Sequence, residues 1–294
     1  MDIHIAKIGL CWGIELAYER VNKVASEGGL HVTHRWGPKP SSVVWDPMRR
    51  IVEDTDEELL RRYPHLSNVQ ILENAAEAEA GMRIAVGHHG SANEEVLTAR
   101  SNDAELFDFK CPFIGKSDKT AEMLASEGYD IIAFGKKGNH HCEDACQRAA
   151  SAGRVGLIAS EVADILEALR EPGRKWACMA EVTANTEKWA KFRADLKAID
   201  VPIRVIDTVC SDSHDRQNEA VKLAARVDVV LIINDNGGST ISVMERVRKE
   251  NASFHLVDPN GDLPDLTGVK SVAIVGGIHV PEWIMSDYAE RLRT

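Results

Sequence analysis

The stretch IHIAKIGLCWGIELAYERVNKVASEGG, residues 3–29, sets the pattern for the whole chain. A short apolar, strand-like run ends at Cys11, and a helical pattern follows. Ile14, Leu16, Ala17, Val21 and Val24 fall at helical spacing, and Gly28-Gly29 is a usual C-terminal stop. The same order returns twice. ELFDF leads to Cys111 and the helical KTAEMLASEG, and IRVIDTV leads to Cys210 and the helical DRQNEAVKLAARV. The three cysteines stand 99 to 100 residues apart, each at the expected C-terminal tip of a strand.

Further along, the thirds stay in step. The helices lead to strands LHVTH, DIIAF and VDVVLII, then to loops RWGPKP, GKKGNHHCED and NDNGGST. Those loops open at Arg35, Lys136 and Asn234, 24 or 25 residues past their cysteines. Short strands VQIL, RVGLIA and SFHLV come next, then apolar strands RIAVG, WACMAEV and SVAIVGG, whose tips carry HHGS, TANTEKW and IHVPEW. Ser91 with Glu94 forms a capping box, and Pro281 suits the first turn of a closing helix. Strands alternating with helices predict parallel sheets that gather ligands at their carboxyl ends. The expected fold class is α/β, with three similar domains built on small parallel sheets: residues 1–108, 109–207 and 208–294. The segment VVWDPMRRIVEDTDEELLRRYPHLS, extra to the first third, reads as a surface helical insertion.

A net charge of −11 offers no basic footprint for nucleic acid or an anionic membrane. No apolar run approaches the roughly 20 residues of a membrane span. Met1 leads directly into the first strand, so no signal peptide is expected. Six cysteines in such a chain suit a reducing compartment, which predicts a cytoplasmic protein. Neither GxxxxGK[ST] nor a strand-linked GxGxxG is present, so no nucleotide cofactor is signalled.

Three thiols on equivalent tips suggest one shared metal centre. They lack the paired knuckles of a zinc ribbon. A [4Fe-4S] cluster held by Cys11, Cys111 and Cys210 would leave one iron without a protein ligand, open to substrate. The competing reading is that cysteine is among the commonest buried residues. Cys142, Cys146 and Cys178 break the repeat. Cys178 reads as core, and so do Cys142 and Cys146, with a fourth-ligand or redox role as the alternative for that pair.

GLCWGIELAYERV at Cys11, FDFKCPFIGK at Cys111, CSDSHDRQNEAVKLA at Cys210 and GHHG around His89 resemble the 4-hydroxy-3-methylbut-2-enyl diphosphate reductase (IspH/LytB) family over nearly the full chain. The resemblance implies a pseudo-threefold trefoil of α/β domains around a [4Fe-4S] cluster, fed electrons by a ferredoxin or flavodoxin. It also implies an open iron that takes the substrate hydroxyl, with C–O cleavage after reduction. The polar cage departs from that pattern. The family's first-loop histidine falls on Pro40, the histidine of its His-Pro-Glu segment on Asn139, and its proton-relay glutamate on His141. Its relay threonine falls on Val182, beside Thr183; its Ser-Ser-Asn run reads Gly238-Ser239-Thr240; and its late serine is His279. Only His89 and Ser239 survive. Charge-assisted phosphate contacts are worth roughly 1.5 to 3 kcal/mol each. Cluster chemistry is therefore expected to persist with a small polar substrate other than the isoprenoid diphosphate.

His141, in place of the relay carboxylate, and Glu143, two residues on, are the candidate proton donors, with His89 as a third catalytic candidate. His89, His140, Thr183, Asn185, Asn236, Ser239, Thr240 and His279 are the candidate substrate contacts. Asn185, Thr186, Ser239 and Thr240 equally suit plain helix caps. Arg35, Lys39, Lys136 and Lys137 could meet an anionic group or simply be solvated, and Trp36 could wall the pocket or pack beneath the loop. The residues leave other functions open: the family reaction itself, a non-redox lyase, dehydratase or desulfurising enzyme, and a cluster-bearing sensor.

Overall fold

The computed structural model describes residues 1–6, 9–33, 57–72, 77–86, 93–235, 237–259 and 261–294. Its twelve strands among the described residues form three four-stranded sheets, every pairing parallel. Parallel neighbours need long crossovers. The helical segments that separate the strands supply them.

The first sheet has the order β3 (Val69–Leu72), β2 (Leu30–Thr33), β4 (Arg83–Val86), β5 (Glu105–Asp108). A second is ordered β7 (Gly156–Ala159), β6 (Asp130–Phe134), β8 (Trp176–Ala180), β9 (Ile203–Ile206). In the last, β11 (Phe254–Val257), β10 (Val229–Ile233) and β12 (Ser271–Gly276) are followed by β1 (Asp2–Ile5). All three therefore share one order. The strand that closes one edge of each sheet is the strand that leads to a cysteine. β5 leads to Cys111, β9 to Cys210, and β1, paired with β12 from Asp2↔Ser271 to Ile5↔Ile274, to Cys11. The N-terminal strand, read from sequence as part of the first third, thus lies in the sheet of the last.

Two compact units result: residues 1–111 with 219–294, and residues 112–218. In the smaller, every residue of β6 and β8 is buried, as expected for strands covered on both faces. Phe134 meets Trp189 and Phe192 with ring centroids 5.2 and 4.8 Å apart, joining β6 to α7 (Thr186–Lys197). In the larger, β10 is likewise wholly buried and packs with Val243 and Val247 of α9 (Gly238–Glu250) and with Met285, Tyr288 and Ala289 of α10 (Glu282–Arg291). A separate core joins Ile14, Tyr18 and Val21 of α1 (Trp12–Ser26) to Leu30, Leu66, Phe109 and Ile278.

The loop reading GKKGNHHCED is corrected at its end, because α5 (His140–Ser151) begins inside it. Asn139 sets that start: its Oδ1 accepts from the N–H groups of His141 and Cys142 at 3.0 and 3.2 Å. Pro281 is the N-cap of α10 rather than a first-turn residue. Of the insertion, the described part holds α2 (Glu57–Arg62) and a 3-10 turn (Pro64–Asn68). Residues 43–56 of it lie outside the described residues, as does Ser91. Among the described residues no helix is long and apolar enough to cross a membrane.

Ile132, at the centre of β6, is fully buried. Ile132→Ala is expected to lower unfolding free energy by about 2 to 5 kcal/mol, measured as a lower denaturant midpoint with an unchanged slope.

Candidate metal centre

Cys11 is the N-cap of α1. Cys111 directly precedes α4 (Pro112–Ser126), and Cys210 directly precedes α8 (Ser211–Ala224). Each cysteine thus stands where a strand-to-helix turn exposes the positive end of a helix, a setting that favours an anionic sulfur or ligand. One backbone contact recurs. The N–H of Cys11 donates to Ile278 O at 3.0 Å, and the N–H of Cys210 donates to Val182 O at 2.8 Å. Ile278 and Val182 each lie two residues past the end of their strand, β12 and β8. The next residues, His279 and Thr183, are thereby carried to the cysteine tips. His89 holds the matching place after β4 but lies outside the described residues.

Gly13 shows how close two of the sulfurs come. A Cβ built there would stand 2.5 Å from Cys111 Sγ, 3.2 Å from Cys111 Cβ and 3.9 Å from Cys11 Sγ. The missing side chain lets both thiols flank one point, and thiolate donors suit iron-sulfur clusters and zinc. Among the described residues no group of three His, Cys, Asp or Glu side chains is arranged to hold a metal ion. The structure therefore brings Cys11 and Cys111 together, and Cys210 belongs to the other unit. All six cysteines are thiols. Burial pushes Cys142 and Cys178 upward and Cys146 up to about 11, which keeps those three as protonated groups of the core.

In the smaller unit, the side-chain amide of Asn139 donates to Glu181. Glu181 follows β8, and burial pushes its carboxyl up to about 7, against the opposing pull of Lys136. Sequence reasoning passed over this glutamate because it ends an apolar strand without any motif. The rings of His140 and His141 lie 3.9 Å apart. His140 keeps an exposed face, while burial around its ring pushes the imidazole down and favours its neutral form. Glu143 is exposed, and its Oε1 accepts from Gly138 N–H at 3.1 Å. Thr183 is half-buried. Asn185 caps α7, accepting from the N–H groups of Glu187 and Lys188 at 3.1 and 3.2 Å. Thr186, the first residue of α7, shares Gln217 Oε1 between its N–H and its hydroxyl. Lys136 and Lys137 are exposed; Arg35, Trp36, Lys39 and Pro40 lie outside the described residues.

In the larger unit, Ser239, Thr240 and His279 do come together, around Asp235. Asp235 is fully buried. Its Oδ1 accepts from Gly237 N–H at 2.8 Å and from the Thr240 hydroxyl at 2.5 Å. Its Oδ2 accepts from His279 N–H at 3.4 Å and faces His279 Nδ1 at 3.3 Å. Burial raises the Asp235 carboxyl, but the His279 ring, Thr240 and Gly237 outweigh it and hold the group below the usual carboxylate range. Ser239 Oγ accepts from Ile278 N–H at 3.1 Å. Gly277 fits this cluster only without a side chain: a Cβ there would meet Thr240 Oγ1, with Asp235 Oδ2 and Ser239 Oγ both at 2.7 Å. The available signal was an aspartate two residues before a glycine, the Asx-turn pattern. Asn236, between them, lies outside the described residues.

Three parallel α/β sheets of one strand order, with cysteines at repeated tips, define the class of fold. The model of the "LytB protein" family matches residues 3–293, and the chain belongs to that family. It is similar to the 4-hydroxy-3-methylbut-2-enyl diphosphate reductase of Nitratiruptor sp., 26% identical over 297 residues covering 100% of this chain and 98% of the relative. The reductase of the same name from Geotalea daltonii is 28% identical over 301 residues, covering 100% and 98%. Among solved structures, the E-1-hydroxy-2-methyl-but-2-enyl-4-diphosphate reductase from Plasmodium falciparum matches with TM-score 0.80 at 19% identity, covering 100% of this chain and 88% of that one. A structure of (E)-4-hydroxy-3-methyl-but-2-enyl diphosphate reductase matches with TM-score 0.65 at 23% identity, covering 100% and 99%. These structural likenesses show a shared fold.

Two outcomes are expected. Gly13→Ala pushes a methyl group into Cys111 Sγ, with Cys11 Sγ at contact distance on its other side, and is expected to weaken iron retention against a chelator by about 10- to 100-fold, read as iron per chain over time. Glu181, with its folded value raised to about 7 from 4.5, binds its proton more tightly folded than unfolded. Its contribution to stability is therefore expected to fall as pH rises from 4.5 to 7 and then to level off. Denaturant unfolding at several pH values checks this, because Glu181→Gln should remove that part of the slope.

Proposed function

We propose that the chain is a [4Fe-4S] oxidoreductase that reductively removes a hydroxyl or related leaving group from a small polar substrate, with Cys11, Cys111 and Cys210 as the cluster ligands. The approach of Cys11 and Cys111 on either side of Gly13 carries the reading. Cys210 joins it through its repeated place at a strand-to-helix turn and its matching backbone bond to Val182. A cluster bound by three thiolates supplies a Lewis-acidic iron and electrons. The three-domain division at residues 108/109 and 207/208 belongs to the same proposal, as do a ferredoxin- or flavodoxin-type electron donor and a reducing, cytoplasmic setting.

The protein's own groups would orient substrate and move protons. His141, at the start of α5, would serve as the proton donor, with Glu143 as its neighbour and competitor. Thr183 and His279 ride on the strand tips that bond the cysteines. His89, by its place in the repeat, would be the third such contact. His140 and Asn236 complete the proposed contacts. The Asn185 and Thr240 side chains are committed to a helix cap and to Asp235. Ser239 Oγ accepts from a backbone N–H, so a ligand would meet its remaining hydrogen-bonding capacity.

A buried, ionised Asp235 beside Ser239 and His279 disfavours a multiply charged phosphate at this tip, which supports a substrate other than the relatives' diphosphate. A second reading, the relatives' own reaction, is favoured by the match along residues 3–293. Single replacement of Cys11, Cys111 or Cys210 by serine is expected to abolish normal cluster loading in anaerobic reconstitution; normal loading in any one of them removes that cysteine from the ligand set. Turnover of 4-hydroxy-3-methylbut-2-enyl diphosphate with a chemical reductant at about 1 to 10³ s⁻¹ would decide for the second reading.

A further inference from the structure

From β10 the chain runs to β11 on one side of the sheet and then returns to β12 on the other. The carboxyl ends of β10 and β12 therefore flank a switch point, the place where α/β sheets hold ligands. Asp235, two residues past β10, spans it with a side chain that has no exposed surface. Its Oδ1 accepts from Gly237 N–H, at the N-cap of α9, and from the Thr240 hydroxyl in the first turn, at 2.8 and 2.5 Å. Its Oδ2 accepts from His279 N–H at 3.4 Å, past the end of β12. Three donors from two sides thus converge on one carboxylate. Backbone N–H groups at a helix start, joined by a hydroxyl, are a donor set suited to a ligand's phosphate or carboxylate. Here the chain supplies the anion itself. Gly277, first past β12, makes room for it, because a Cβ there would stand 2.7 Å from both Asp235 Oδ2 and Ser239 Oγ.

The smaller unit repeats the arrangement with different residues. The position matching Gly277 is Glu181, first past β8, and its carboxyl accepts from the side-chain amide of Asn139, the N-cap of α5. Gly135, first past β6, lies against it, and a Cβ there would stand 3.7 Å from Glu181 Cδ. A carboxyl of the protein therefore stands at the switch point of each of these two sheets. In the larger unit, Ile278 ties the tip to Cys11, accepting from the cysteine N–H and donating to Ser239 Oγ. We propose that Asp235 is a specificity-determining residue whose carboxylate occupies the seat of a ligand's anionic group, so that substrate meets this tip with an uncharged or cationic part. This rests on the proposed reading of the Cys11 tip as the substrate side. It narrows the substrate class to molecules without a phosphate at this position, by occupancy of the donors as well as by repulsion.

The test uses the cluster-loaded parent with its Asp235→Ser, Asp235→Ala and Asp235→Asn variants, titrated anaerobically with inorganic diphosphate in a calorimeter. The serine and alanine variants, which empty the seat, are expected to bind diphosphate about tenfold or more tightly than the parent, the contribution of one regained charge-assisted hydrogen bond. Asp235→Asn, whose amide still fills the seat, should gain less. Formate, small enough to replace the lost carboxylate, should raise the unfolding temperature of Asp235→Ala or restore its fold, where chloride at equal ionic strength does not. Diphosphate bound by the parent as tightly as by the serine and alanine variants, an equal gain in Asp235→Asn, or an Asp235→Ala protein indifferent to formate overturns the proposal. Iron per chain is measured first. A parent that loads none contradicts the proposed function instead, and the diphosphate and formate readings still decide the role of Asp235.

Discussion

The backbone hydrogen bond from a cysteine N–H to the strand tip beside it, seen at Cys11 with Ile278 and at Cys210 with Val182, is the contact on which the candidate chemistry depends. It exists because the strand leading to each cysteine pairs in parallel with the last strand of the preceding repeat, β1 with β12 and β9 with β8. Two strand ends then finish side by side, one turning into a helix through the cysteine and the other carrying a polar residue. A rigid sheet edge, rather than a mobile loop, sets the distance between thiol and polar group. Such placement is what precise chemistry at a site requires.

Closure of the repeat by the N-terminal strand has an energetic side. A four-residue strand such as β1 gains little on its own, but its pairing with β12 adds an edge to a sheet whose inner strands, β10 and β12, are buried at every position but Ser271. Fraying of that edge would loosen the approach to Cys11 first. Glycine is needed at Gly13 and Gly277 for a related reason, since at both the chain comes closer to functional side chains than a Cβ permits.

Much of this was legible in the residues. The strand-cysteine-helix order and the constant distance from cysteine to loop announced the three sheets, and VQIL, read as a strand, is β3. The sheet membership of β1 was not legible, because spacing along a chain does not reveal that its first strand closes its last sheet. Asn185 was read both as a ligand contact and as a cap, and its geometry is that of a cap. The parts played by Asp235 and Glu181 were not legible. Asp235 opens a segment, Asp235 to Gly238, that reads equally as a tight turn or as a close approach of backbone to a ligand, and Glu181 has no motif at all. Their importance comes from burial and from partners 44 and 42 residues away in sequence, His279 and Asn139, which no local pattern encodes.

The central claim is that Cys11, Cys111 and Cys210 hold one cluster with an iron left for substrate. A Mössbauer spectrum of the anaerobically purified, iron-57-enriched protein tests it most directly. The account predicts three irons in tetrahedral sulfur environments and a fourth, distinct iron whose parameters move when ligand is added. Four equivalent sulfur-bound irons, unmoved by any ligand, or iron absent after reconstitution, would contradict it.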